Sequence, residues 1–217
     1  MNRESRWLTD IRDLWGITGN HGFPASGLDH WLRRFGAVPA SLAEYYLALG
    51  AHKALNATFD GLIVPDDIDS RWRWSETPDT DHLVFYAEYR WTSMWGVAPE
   101  DVGAEDPIVH ESVDGRTWHP TEDTVSGFLF AQAHLQRLMT FRFTSEEFVG
   151  LRLDEVDRVH ADFPLLAISD MYGVTDFYGH PDAIIMLTPT DEGPSAWFGA
   201  DDEEDWDLLT EWFERLG

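Results

Sequence analysis

Cysteine is absent from this chain, and lysine is nearly so: of the fifteen basic residues only Lys53 is not an arginine. Without thiols there is no disulfide framework, no thiolate metal site and no thiol redox chemistry, which fits a reducing compartment. Long apolar runs are also missing. No stretch approaches the roughly 20 apolar residues of a membrane helix, and the N-terminus MNRESRWLTDIRDLW carries charge throughout, unlike a secretory signal. The expectation is a cytoplasmic protein. Positive charge is the third scarcity, with 40 acidic residues against 15 basic ones and a formal charge of −25. Such a surface repels phosphate backbones and anionic membranes and speeds encounter with basic partners. Neither nucleic acid nor membrane is therefore an expected ligand. Acidity also serves solubility, so charge alone selects no site.

The familiar signatures of catalysis are missing as well. No GxGxxG or GxxxxGK[ST] phosphate loop occurs, and no HExxH helix or GxSxG elbow. The histidines, among them His52, His82, His110, His119, His134, His160 and His180, are scattered without metal-site spacing. Adjacent acids such as Asp66/Asp67, Glu100/Asp101 and Glu105/Asp106 are unsurprising in so acidic a chain, and polar loops give carboxylates ordinary solvated ionisation. The run 201–205 matches no spaced ligand set and reads as the cap of a following helix. The sequence thus predicts no catalytic residue, no cofactor, no metal and no enzyme.

What is present is a pattern of alternating elements. Leu28, Trp31, Leu32 and Phe35 recur at helical spacing, and Leu42, Tyr45, Tyr46 and Leu49 repeat it after a turn at Gly36 to Val38. Pro39 suits the first turn of the second helix and Gly50 its end. Residues 64–82 read as a long connection, of the kind that is often functional in compact domains. Leu83 to Ala87 and Met94 to Val97 form a predicted hairpin around the polar stretch Glu88 to Ser93, with a further short strand starting at Ile108 and a turn at Asp114-Gly115. Thr124 to Met139 predicts a helix, capped by Asp123 or Thr124, that packs across the sheet. A later cluster of strands follows at Asp176 to Tyr178, Ala183 to Thr188 and Ser195 to Gly199. A closing helix runs over Glu203 to Leu216, with Trp206, Leu209, Phe213 and Leu216 on one face.

No repeat or Gly/Ser linker divides the 217 residues. The predicted architecture is a single α+β domain: a twisted, mainly antiparallel sheet with helices packed on it, two N-terminal helices and a C-terminal helix. The later strands are expected to extend the same layers.

Three blocks carry a family likeness: Pro39, Leu42, Tyr45, Tyr46 and Gly50; Phe85, Glu88, Trp95, Gly96, Asp106 and Pro107; and Trp118 followed by Ser126, Phe128 and Leu129. Together they resemble the SUKH superfamily, which is dominated by bacterial toxin-immunity proteins and also contains a fungal cell-wall regulator. The likeness spans residues 36–139, with 140–217 as a C-terminal strand and helix extension. Members commonly carry Glu-Asn-Gln where this chain has Glu88-Tyr89-Arg90.

The resemblance implies a non-enzymatic immunity protein that binds and neutralises a cognate toxin, such toxins often being nucleic-acid-degrading. The alternative it implies is an intracellular scaffold or regulator like the fungal branch. The scaffold does not specify the partner, which variable surface residues would set. A nuclease keeps a basic cleft, so acidic side chains and aromatic anchors are the chemistry to look for. The predicted partner surface is Asp66, Asp67, Asp69, Trp72, Trp74, Asp79 and Asp81, with Glu88, Tyr89, Arg90 and Trp91 at the hairpin. Core packing is the competing reading for each of these tryptophans. Trp95 and Trp118 are assigned to the core.

Overall fold

The computed structural model describes residues 4–64, 80–90, 92–171 and 173–216. Its first helix, α1 (Arg6–Trp15), is one the sequence reading does not predict. It buries Leu8, Ile11 and Leu14, spaced by three and interleaved with charges, and Gly16 ends it in the left-handed region at φ 61°. The two predicted helices follow. The first, α2 (Asp29–Phe35), is entered through a single 3₁₀ turn at Ala25–Leu28, and Gly36 closes it at φ 79°. Its apolar stripe is narrower than expected, because Trp31 is buried and Leu32 is exposed.

The second, α3 (Ala40–Ala48), has Pro39 one position ahead of it, as its cap rather than in its first turn. Gly50 follows the last turn where nothing larger fits, since a Cβ there would lie 2.8 Å from the Tyr46 carbonyl oxygen. The short α4 (Lys53–Asn56) leads into the first sheet.

That sheet runs in chain order: β1 (Gly61–Leu62), β2 (Leu83–Ala87), β3 (Met94–Val97), β4 (Ile108–Ser112) and β5 (His119–Thr124), each antiparallel to the next. The β2–β3 register pairs Leu83 with Val97 and Ala87 with Met94, so the hairpin turn falls at 88–93, as predicted. Gly96 leaves room for close strand approach, since a Cβ there would lie 3.0 Å from the Leu83 carbonyl oxygen across the pair.

The predicted central helix is α5 (Val125–Leu138), capped by the Thr124 hydroxyl, which accepts the Gly127 N–H at 3.3 Å. Not one of its residues is exposed. The reason lies beyond it in the chain. The later strands do not extend the first sheet but build a second one: β6 (Phe143–Thr144), β7 (Val149–Gly150), β8 (Leu165–Ser169), β9 (Thr175–His180), β10 (Ala183–Thr190) and β11 (Gly193–Ala200). Its order is β6-β11-β10-β9-β8, with β7 also paired to β11, and every pairing is antiparallel.

Helix α5 lies between the two sheets. Period-two alternation in β10 shows how the second sheet serves two layers. Ile184 and Met186 join the core shared with α5 and the first sheet, while Ile185 and Leu187 join a second core. That second core is closed by α6 (Leu153–Asp162) and by the predicted final helix α7 (Glu203–Glu214), which contributes Leu209 and Phe213. The chain is therefore α+β, as predicted, with two antiparallel sheets in place of one.

The core assignments for tryptophan divide. Trp95 is fully buried and packs on Phe128 at 5.3 Å between ring centres. Trp118 is only half-buried. It lies on the first sheet stacked flat against His82 at 4.4 Å, with its indole N–H donating to the Thr80 hydroxyl at 3.1 Å.

Candidate functional site

The hairpin turn after β2 is organised by one carboxylate. Glu88 is buried, and its Oε2 accepts hydrogen bonds from the Arg90 N–H at 2.7 Å, the Thr92 N–H at 3.3 Å and the Thr92 hydroxyl at 2.9 Å. The backbone closes behind it, with the Glu88 N–H donating to the Ser93 carbonyl at 2.9 Å. Tyr89 leans on Phe59 at 5.3 Å between ring centres, and the exposed Arg90 lays its guanidinium over the Tyr89 ring at 4.7 Å.

Beneath the turn, the buried Gln136 of α5 fixes the chain before β1. Its carbonyl accepts the Phe59 N–H at 2.9 Å, and its amide donates to the Asp60 carbonyl and the Tyr86 hydroxyl, each at 2.9 Å. Three elements thus hold the turn in one position.

Between this turn and the second sheet lies a cleft of about 360 Å³. Phe59, Glu88 and Thr92 line it on the turn side, Leu135 of α5 and Met139 just past its end line it from the helix, and Met186 and Trp197 line it from β10 and β11. Its size and apolar lining are those of a site for a small molecule or an inserted side chain. Half of this cleft comes from residues beyond 140, which the sequence reading leaves out of the site. A cue existed in Thr188-Pro189-Thr190 and Trp197, near the turn at 191–194, but only strand pairing brings them opposite Glu88.

Asp81 belongs to a different place. Seven residues of extended chain, about 20 Å, separate it from Glu88 along β2. It sits exposed beside His82, whose Nε2 lies 3.4 Å from the Nδ1 of His110. Burial and the neighbouring His110 hold the His82 imidazole below its ordinary pKa, against the opposing pull of Glu100 and Asp81. Asp66, Asp67, Asp69, Trp72, Trp74, Asp79 and Trp91 lie outside the described residues. Of the predicted surface, the structure gathers Glu88, Tyr89 and Arg90 at one end of the hairpin and leaves Asp81 at the other. Glu88 is a turn-former first, with its carboxylate turned to its own backbone, whereas Arg90 is exposed.

Many of the cations are used within the chain. Arg12 pairs with Glu4 at 3.0 Å, Arg137 with Asp201 at 3.1 Å and Asp182 at 3.4 Å, and Arg152 with Glu155. Arg34 donates to the Thr80 carbonyl and Arg215 to that of Glu211. Internal use of these arginines leaves the acidic excess to dominate the field around the molecule. Among the described residues no group of three or more His, Asp or Glu is placed to hold a metal ion. Nor, among those residues, is any helix long and apolar enough to cross a membrane. The chain matches no family model, and no curated protein or solved structure matches it.

Proposed function

We propose that this chain is a non-enzymatic binding protein for a basic protein partner and, within that class, an immunity protein that neutralises a cognate toxin. The observation that carries the reading is the charge of −25 in a molecule that spends many of its few arginines on its own carboxylates and carbonyls. A basic partner is drawn to such a surface, and complementary fields raise association rates more than they raise affinity. The SUKH-like blocks at 39–50, 85–107 and 118–129 supply the narrower assignment, because toxin immunity is the prevailing role of proteins that carry them. A nucleic-acid-degrading toxin fits the electrostatics, since its substrate cleft is basic. An acidic protein covering that cleft excludes phosphate backbones by the same field that attracts it.

Co-expression with candidate toxins encoded by neighbouring genes tests the proposal. The expected outcome is restored growth and a complex that copurifies, with an association rate falling as salt is raised through the range where the screening length drops below about 10 Å. A toxin that still kills and leaves no complex sinks the immunity reading.

A further inference from the structure

The cleft between the hairpin turn and the second sheet has an unusual polar balance. Four threonines reach its wall, and every one of their hydroxyls is already used. Thr92 donates to Glu88 at 2.9 Å, Thr175 to the Met171 carbonyl at 3.0 Å, and Thr190 to the Gly193 carbonyl at 2.8 Å, while Thr188 pairs with the Thr175 hydroxyl at 3.1 Å. The Trp197 indole N–H is likewise engaged, by the Ser145 carbonyl at 3.0 Å. With these groups satisfied, the lining behaves as methyl, thioether and ring surface.

Glu88 is the exception. All three donors of the turn fall on Oε2, and Oε1 has no hydrogen-bond donor among the described residues, although the residue as a whole is only 7% exposed. Oε1 is not sealed from solvent, so it stands ready to accept a donor that enters the cleft.

We propose that this cleft receives an arginine side chain of the basic partner, its aliphatic stem on Leu135, Met139 and Met186 and its guanidinium on Glu88 Oε1. The chemistry selects that occupant. An apolar stem ending in a fixed planar cation matches an apolar trough with one open carboxylate oxygen, and the aromatic rings of Trp197 and Phe59 line the same trough. A purely apolar ligand leaves Glu88 uncompleted, and an anionic ligand is repelled by it. The inference rests on the partner being basic, as proposed above, but its test needs no toxin.

The probe is an end-blocked Gly-Arg-Gly peptide, with Gly-citrulline-Gly as its neutral isostere, titrated at physiological salt while the methionine methyl resonances are followed. The expected result is a saturable shift of Met139 and Met186 with Met94, which lies in β3, unmoved, and binding of the citrulline peptide about tenfold weaker. Glu88→Gln keeps an oxygen for the turn donors and replaces Oε1 with an amide. It should weaken the arginine peptide by about the same factor and leave the citrulline peptide unchanged. Met139→Trp, which fills the trough, should abolish the shifts.

Equal binding of the two peptides, shifts that include Met94, or shifts that survive Met139→Trp would overturn the assignment. So would a copurified toxin whose affinity is the same for Glu88→Gln and Met139→Trp as for the parent, an outcome that leaves immunity intact. The reverse pattern, an arginine peptide held in the cleft with no toxin bound, supports the cleft and removes the immunity reading.

Discussion

The Asp123 carboxylate accepts the Ser169 hydroxyl at 2.6 Å, tying β5 at the edge of the first sheet to β8 at the edge of the second. The same oxygen takes the Asp170 N–H at 2.9 Å. Burial raises the Asp123 pKa, and these two hydrogen bonds partly restrain the rise. Ser169→Ala should cost about 2 kcal/mol, the usual loss for a hydrogen bond to a charged group, as read from the denaturant midpoint. The Asp123 carboxyl should then titrate higher still by carbon-detected NMR. An unmoved carboxyl would mean that the bond does not act on its ionisation.

His134 sits in α5 against Phe130 and Phe177, and burial pushes its imidazole down to about 4 despite the hydrogen bond of Nδ1 with the Phe130 carbonyl. Between about 4 and 6.5 the unfolded chain binds a proton here that the folded chain refuses. Stability is therefore present above 6.5 and is lost as the pH falls through that window. The loss amounts to about 3 kcal/mol if the whole shift is realised. Substituting His134→Gln should flatten the stability profile between pH 6.5 and 4, measured by urea unfolding at each pH.

Removing the turn-forming carboxylate has a local signature. Glu88→Ala strands three donors, at Arg90 and Thr92, and should destabilise by about 1–3 kcal/mol. Amide exchange should speed at Arg90 and Thr92 ahead of the rest of β2 and β3. Glu88→Gln, which retains an acceptor, should show much less of both effects.

Gln136 satisfies three groups from one buried side chain. Gln136→Leu preserves the volume but leaves the Phe59 N–H, the Asp60 carbonyl and the Tyr86 hydroxyl without this partner, for a loss of at least about 3 kcal/mol. The thermal midpoint is the direct measure. A change below 1 kcal/mol would mean that water replaces the amide at that position.

Legibility in the sequence follows how local each cause is. The hairpin at 83–97, the cap of α5 at Thr124 and the closing helix at 203–214 depend on neighbours in the chain, and their residue patterns announce them. Helix α1 and α6 were hidden by charge. In α6 only Glu155 and Val159 are buried, so no apolar stripe stands out, although the Glu155 carboxylate reaches back to accept the Arg152 N–H at 2.7 Å at the helix start. The division into two sheets depends on pairings such as Gly199 with Thr144 across more than fifty residues, which no local period encodes. Trp118 is an intermediate case: it packs against the main core but stays partly open, with His82 stacked on its ring. The acidic excess was legible from composition alone, whereas the cleft needed both sheets in place.

Helix α5 has no exposed residue because each of its sides is claimed by a different layer. A substitution at Leu135, which lines the cleft together with Phe59 on one side and Met186 and Trp197 on the other, is thus judged by two halves of the molecule at once. Among relatives, α5 should drift slowest, while the exposed positions of the turn at 89–92 and of the β10–β11 tip at 190–193 diverge more readily. The rim of the cleft is thereby free to change while the helix beneath it stays constant.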